Sequence, residues 1–372
     1  MQVEIFQEGL AKAVSQVAKV INPLPQLPIL SNLYLKTGKR GITLVGTNLE
    51  TTISLFLPAK VSQEGETTVS AKNFSEMVGA MRAEKIKLIL KKNRLHLISQ
   101  TGKVKFPIMS VKDFPARDFS QIKAGNKKRL AFSGKELLES LRKTVFAAAI
   151  DESRPALAGV LMEASKKGAR LVATDGYRLS LAKVKVREGK LTEPAIIPAR
   201  ALRELEKGIV EKGKVGVVSD KEGAQVYFSQ GDFLLGTRLI EGDFPDFEKI
   251  IPDQGATRVE IDREGMVERL RTAAIFARES ANIVHLEIGK QGIFLVAEAR
   301  QAGEGSFQLG VEKQEGEELK IAFNFRFLLE ALAAFEEETV MIEFSGSLAP
   351  AKFYSSEKPE FLHIVMPVRL QG

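Results

Sequence analysis

Three stretches of this chain repeat one another, and that repeat limits its fold more than any single residue does. Val3-Glu4-Ile5 leads into Gly9-Leu10, Leu130-Ala131-Phe132 into Glu136-Leu137, and Val259-Glu260-Ile261 into Gly265-Met266, at intervals close to one third of the 372 residues. Each sets a short alternating strand before a helix, so one structural unit is used three times. The helices carry apolar residues three and four apart, as in Leu10, Val14, Val17, Val20 and Ile21, or Leu137, Leu138, Leu141 and Val145, which buries one face of each. Ser133, with Glu136 three residues on, and Asp262 are placed to cap the second and third of these helices.

A second helix signal recurs within each third, at Val69-Ser70-Ala71-Lys72-Asn73-Phe74, Ile197-Pro198-Ala199-Arg200-Ala201-Leu202 and Ala322-Phe323-Asn324-Phe325-Arg326-Phe327. Alternating runs such as Ile42-Thr43-Leu44-Val45, Lys87-Leu88-Ile89-Leu90, Arg170-Leu171-Val172-Ala173 and Ile293-Phe294-Leu295-Val296 read as strands. Phe106-Pro107 to Asp113-Phe114-Pro115 and Phe233 to Asp243-Phe244-Pro245 close the first two thirds alike, giving three α+β domains at 1–124, 125–252 and 253–372. Two helices and about eight strands per third pack with the helices on one face of a sheet. From the repeat alone, the three units fit equally an arc that closes against a second copy and a bent line.

Composition narrows the chemistry. With Cys 0, disulfides, thiolate metal sites and cysteine nucleophiles are excluded. The longest apolar run, Val145 to Ile150, is far shorter than the roughly 18 residues of a membrane span. Met1-Gln2-Val3-Glu4-Ile5 reads as a strand rather than an export signal, so a cytoplasmic location is expected. A formal charge of +7 permits a polyanionic partner and equally fits a solvated basic surface.

Catalytic chemistry finds little purchase. His96, His285 and His363 sit in alternating, strand-like contexts, not in metal-ligand pairs, and there is no phosphate-binding glycine loop, dinucleotide fingerprint or nucleophile elbow. Asp243 and Asp246 lie in a Gly- and Pro-rich turn, and Asn73-Phe74-Ser75 matches a glycosylation acceptor by chance. No catalytic residue, metal or cofactor is expected.

Two segments carry a family resemblance. Glu152-Ser153-Arg154-Pro155-Ala156-Leu157-Ala158-Gly159-Val160, followed by Val172-Ala173-Thr174-Asp175-Gly176-Tyr177-Arg178-Leu179-Ser180, resembles the middle-domain signature of bacterial β sliding clamps, the β subunits of DNA polymerase III. His363-Ile364-Val365-Met366-Pro367-Val368-Arg369-Leu370 resembles their terminal strand and tail, and Glu241-Gly242-Asp243-Phe244-Pro245-Asp246-Phe247 the segment entering the third domain. With the repeat, the resemblance spans essentially the whole chain. It implies a head-to-tail homodimer forming a six-domain ring on duplex DNA, helices lining the hole and antiparallel sheets outside. Such a ring is a processivity factor without catalysis of its own. The alternative is a DNA-binding repeat protein that forms no ring.

The resemblance also implies a hydrophobic pocket that captures short peptide motifs of replicative polymerase, clamp loader and repair proteins. The matching positions are Leu157, Thr174, Gly176, Tyr177, Arg178, Leu179, Pro245, Ile250, Ile364, Val365, Met366, Pro367, Val368 and Leu370, with Arg154, Arg178 and Arg369 oriented to polar peptide groups. Read without it, Thr174-Asp175-Gly176-Tyr177 is a two-residue type I′ hairpin turn and Pro367 blunts an edge strand. Tyr177 stands where many relatives have His, Phe327 where Tyr is frequent, and Gln371-Gly372 extend past the usual terminal Leu.

Helices facing duplex DNA offer cations to phosphates without reading bases. The candidates are Lys12, Lys72, Arg142, Arg200, Arg203, Lys207, Arg269 and Arg271, interspersed with Glu76, Glu136, Glu139, Glu204, Glu206 and Glu268. The loop Pro23-Leu24-Pro25-Gln26 lacks an Arg found in some relatives, and Pro155-Ala156 replaces an aromatic pair, so static DNA contacts are expected to be few. By family position, Val104 and Phe106 meet Ile275 and Phe276 of a second copy, the other reading being that all four are core of their own domain.

Overall fold

The fold is described from a computed structural model, covering residues 1–82, 84–115, 129–151, 153–165, 168–189, 193–220, 223–252, 255–300 and 303–369. Among them are six α-helices: α1 (Gln7–Ala18), α2 (Ala71–Ala80), α3 (Gly134–Thr144), α4 (Ala199–Gly208), α5 (Arg263–Ala277) and α6 (Phe325–Ala333). Each third has two, and the recurring helix signals of the sequence correspond to them.

The chain divides into two compact units that do not coincide with the thirds. The first comprises Met1–Leu138, Val186–Thr192 and Arg200–Leu239, the second Glu139–Lys185, Glu193–Ala199 and Ile240–Gly372. In the first unit, one sheet has five strands: Lys60–Gln63, Gln2–Phe6, Lys85–Lys91, Arg94–Ile98 and Lys103–Pro107 in spatial order. The other has eight, and the strand Phe233–Arg238 of the middle third pairs antiparallel with Thr51–Pro58 of the first. The second unit has a nine-stranded sheet, in which Arg178–Val184 pairs with Phe361–Val365, and a four-stranded one ending at Gly303–Leu309. The middle third therefore gives strands to both units. Self-similarity along the sequence carries no sign of this, because the pairing that joins Phe233–Arg238 to Thr51–Pro58 and Arg178–Val184 to Phe361–Val365 crosses from one third to another.

The helices follow their apolar spacing. Leu10, Ala13, Val14 and Val17 of α1 are buried, as are Met266, Leu270, Ala273 and Ala274 of α5, which pack with Phe323, Leu328 and Ile342. Each of the larger side chains among them contributes about 1.5–3 kcal/mol by leaving water. Asp262 caps α5, its carboxylate accepting from Gly265 N–H at 2.7 Å, and Ser70 and Asn324 cap α2 and α6. No helix among the described residues is long and apolar enough to cross a membrane.

Candidate functional site

The second unit brings most of the expected pocket residues to one place. Strands Gly168–Thr174 and Arg178–Val184 are joined by Asp175-Gly176-Tyr177, and the last strand, Phe361–Val365, is laid beside them with Leu179 opposite Ile364 and Arg178 opposite Val365. The loop is not the type I′ turn that Asp-Gly suggested. It has three residues and only Gly176 takes positive φ, at 91°, whereas type I′ needs two. Asp175 builds it, one carboxylate oxygen accepting from Tyr177 N–H at 2.9 Å and Arg178 N–H at 3.0 Å. Thr174 Oγ1 donates to Arg178 O at 2.6 Å and accepts from Gly176 N–H. Met366 N–H then donates to Tyr177 O at 2.8 Å, and Val368 N–H to Ala322 O, fixing the tail.

Arg178 is the electrostatic centre. Its guanidinium pairs with Asp175 and Glu330, donates to Phe146 O at 3.0 Å, and lies 4.7 Å from the Phe327 ring and 5.4 Å from Phe146. Burial lowers its pKa against the pull of Asp175, but guanidinium keeps its charge. Tyr177 is exposed and stacks on Phe327 at 6.5 Å. Beneath lies an apolar cluster of Leu161, Val172, Leu179, Leu181, Ile196, Phe247 and Ile364, with Ala156, Phe244 and Ile250 packed on it.

The expected pocket residues fall into two groups. Thr174, Leu179, Ile364 and Val365 are buried and have no side-chain surface for a ligand, Val365 belonging to a separate core with Phe323 and Phe353; Leu157 is nearly as enclosed. Tyr177, Pro245, Ile250, Met366, Pro367 and Val368 are exposed or half-buried, and Arg154 and Arg369 are exposed. Arg154 donates to Asp175 O at 3.2 Å, so it braces the turn. Leu370 lies outside the described residues. Sequence reasoning did not assign Asp175, Phe146 or Glu330 to the site. The first has a turn signal, but nothing near Phe146 or Glu330 hints that Arg178 reaches them.

His363 is buried behind Arg178. It shares a 2.7 Å hydrogen bond with Ser180 through Nδ1 and stacks on Phe146 at 5.4 Å, while its Nε2 has no hydrogen-bond partner. Burial, with the Arg178 charge beside it, pushes its pKa down to about 3, so the ring is neutral near pH 7.

The basic helix residues differ in exposure and in local contacts. Lys72, Arg142 and Arg271 are exposed and Arg203 is half-buried. Lys12 pairs with Glu8 and Lys207 with Glu204, at 2.8 and 2.7 Å, and Arg200 with Glu50. Arg269 is committed locally, donating to Gln308 O and Gly265 O at 3.1 Å and pairing with Glu268. Arg269, Arg271 and Ile275 border an open depression of about 810 Å³ along α5. Of the four residues expected between copies, Phe106 is buried edge-to-face on Phe74 inside its own unit, and half-buried Phe276 stacks on Phe307. Val104 is half-buried on a sheet-edge strand and Ile275 is exposed.

Known proteins match the whole of this arrangement. Three family models of the DNA polymerase III beta subunit fit in order, the N-terminal domain at residues 1–118, the central domain at 131–246 and the C-terminal domain at 248–369. The beta sliding clamp of Synechocystis is 29% identical over 388 residues, covering 98% of each chain. The DNA polymerase III beta subunit of Thermotoga maritima superposes with a TM-score of 0.90 at 26% identity, covering 100% of both chains. A sliding clamp of Pseudomonas aeruginosa bound to griselimycin does so at 0.91 and 25%, again over 100% of each. The repeat, the two helices per third and the motif-bearing strands thus have one common explanation, which is that this chain belongs to the DNA polymerase III beta subunit family.

Proposed function

We propose that this protein is the processivity factor of a bacterial replication machine, a ring-shaped homodimer that encircles duplex DNA, slides along it and tethers polymerase. It is an accessory subunit and not an enzyme. The observation that carries this reading is the succession of three beta subunit domains over nearly the full chain; no such succession is expected of a DNA-binding repeat protein that forms no ring. The three domains are assigned to 1–124, 125–252 and 253–372, and the place of work is the cytoplasm, where the DNA is.

Partners would dock where Tyr177, Pro245, Ile250, Met366, Pro367 and Val368 offer apolar surface around Arg178. The stacked Tyr177 and Phe327 rings and adaptable Met366 suit leucine or phenylalanine side chains of an extended peptide. One such peptide binds at the micromolar level, about 8 kcal/mol, which lets polymerase, clamp loader and repair proteins exchange on one ring. Griselimycin on the Pseudomonas clamp is consistent with a ligand-binding surface in this family.

Lys72, Arg142, Arg203 and Arg271 are proposed phosphate contacts, as are Lys12, Arg200, Lys207 and Arg269, which also pair with neighbouring carboxylates. Sparse contacts of that kind exchange quickly with counterions and favour sliding over gripping. The subunit boundary would join the edge strands Lys103–Pro107 and Gly303–Leu309 of two copies, Val104 meeting Ile275 beside them. Retention on DNA is then topological. Protein loaded on covalently closed circles should remain through a moderate-salt wash and leave once the circle is cut; loss from intact circles at the same rate as from linear DNA rejects the ring.

A further inference from the structure

The five-stranded sheet of the first unit has two unlike faces. Val3, Ile5, Ile86, Leu88, Leu95, Leu97 and Phe106 are buried on one. The other presents Lys85, Lys87 and Lys91 from one strand, Arg94 from the next and Lys103 and Lys105 from the edge strand, all exposed. The register sets Lys91 opposite Arg94, and His96 opposite both Ile89 and Lys105. Glu4 is the one carboxylate on these strands at that face, and it pairs with Lys87 at 3.4 Å. Lys91, Arg94, Lys103 and Lys105 have no ion pair among the described residues.

We propose that this outer sheet face binds single-stranded DNA. Neighbouring strands lie about 5 Å apart and alternate residues about 7 Å apart along a strand, so the six cations form a flat, two-dimensional array. Lys91 and Arg94, which have no ion pair and lie off the edge strand assigned to the subunit boundary, repel one another across the ladder, a cost that a bound polyanion relieves. His96 senses the crowding. Its pKa is lowered by desolvation and by the charges of Lys103, Lys105, Lys91 and Arg94, leaving an uncharged ring amid cations.

Apolar and aromatic groups between the charges favour a single strand over other polyanions. Phe6 is 64% exposed with Lys85 Nζ 5.3 Å from its ring, and Ile89, Ile98 and His96 are partly exposed. Unpaired bases stack on such surfaces while their phosphates meet the cations. A duplex offers this flat face only a convex line of phosphates, and an acidic peptide has no use for the rings. The choice of DNA over RNA rests on the sliding-clamp reading. Unpaired template ahead of a polymerase tethered to the ring would be the natural ligand.

The test is fluorescence anisotropy of the full-length protein with a labelled oligothymidylate about 20 nucleotides long. The quadruple variant Lys85→Gln/Lys87→Gln/Lys91→Gln/Arg94→Gln avoids the edge strand, and each exposed change spares the core. It should weaken binding at least about tenfold and lower the salt slope by about 2–3, at roughly 0.7 per lost phosphate contact. A variant with Arg at all four positions should bind like the native chain, as should Lys212→Gln/Lys290→Gln at two exposed turns elsewhere. Undiminished binding by the quadruple Gln variant, an equal loss in the turn variant, or equal displacement by duplex or polyglutamate would each overturn the proposal. Retention of the quadruple variant on closed circles, measured in parallel, reports on the ring separately.

Discussion

The turn Thr174–Arg178 has a twin in the first unit at Thr47–Thr51. Thr47 Oγ1 donates to Thr51 O and accepts from Leu49 N–H, as Thr174 does with Arg178 O and Gly176 N–H. Asn48 accepts from Glu50 and Thr51 N–H at 3.1 and 2.7 Å, where Asp175 accepts from Tyr177 and Arg178. Arg238 N–H donates to Glu50 O at 2.9 Å, where Met366 donates to Tyr177 O at 2.8 Å. Leu49 and Gly176 both take positive φ, 76° and 91°.

The side chains differ. The first unit has Glu50, Thr51 and Arg238 where the second has Tyr177, Arg178 and Met366, and Gly236 stands in the slot of Ile364. A Cβ on Gly236 would lie 2.7 Å from the Tyr227 ring, so that ring closes under the strand and leaves a cleft of about 420 Å³ that Glu50 and Arg238 help to line. In the ladder behind, the aliphatic pair Ile53–Leu235 replaces Ser180–His363. The repeat supplies one backbone frame twice, and the proposed peptide-capturing surface is the copy on which rings, Met366 and a buried guanidinium are mounted.

The largest effect should come from removing the tail. Ending the chain after Val365 takes away Met366, Pro367 and Val368 but keeps the paired strand, and peptide affinity should fall about 100-fold or more, near 3 kcal/mol. The equivalent change in the twin, Arg238→Ala, should leave that affinity as it was. Calorimetry on both variants, with sedimentation to verify an intact dimer, separates them; loss of peptide binding in Arg238→Ala would move the pocket to the other frame. Removal from residue 364 onward is a poorer experiment, because Ile364 and Val365 are fully buried.

The next effect follows from His363. Unfolded, the ring titrates near the ordinary 6.5, whereas burial holds it down to about 3 in the folded chain. Below 6.5 the unfolded chain takes up a proton that the folded one refuses, so stability is complete above that pH and is lost progressively toward 3. At pH 5 the loss is about 2 kcal/mol. The double variant Ser180→Ala/His363→Leu, imitating the hydrocarbon pair of the twin, should flatten the denaturation midpoint between pH 7 and 5. A native midpoint that does not change over this range would contradict the burial argument.

Much of this frame was legible before the structure, and the parts that were not share a cause. Three repeats, two helices per third and Asp262 as a cap follow from periodicity and local chemistry, which a sequence carries directly. The turn at Thr174 was recognised as a turn but assigned the wrong type, because Asp-Gly also serves a three-residue loop when the Asp side chain folds back on the backbone. Its twin went unread, since Leu49 is no turn signal and nothing local announces a leucine at positive φ. Arg178 matched the family, yet its partners Phe146 and Glu330 lie 32 and 152 residues away in sequence. Phe106, expected between copies, is buried within one chain, on the face of Lys103–Pro107 that alternation also gives to half-buried Val104.

The smallest effect concerns the two residues at positive φ. An L-residue in the left-handed region costs roughly 1–2 kcal/mol, which glycine avoids, but glycine also makes the unfolded chain freer by about 0.4–1 kcal/mol. Leu49→Gly should therefore gain at most about 1 kcal/mol, the more so because Leu49 is half exposed and gives up little burial. Gly176→Ala should lose a similar amount. Its new methyl would sit 3.3 Å from Arg154 Nη1, the far end of an exposed side chain that has only to shift slightly, so the cost is mainly backbone strain. Denaturant midpoints of the two variants should move in opposite directions. If both fall together, the two frames are alike in hydrogen bonding and unlike in strain, and the Leu49 side chain holds the first turn in a way that Gly176 does not hold the second.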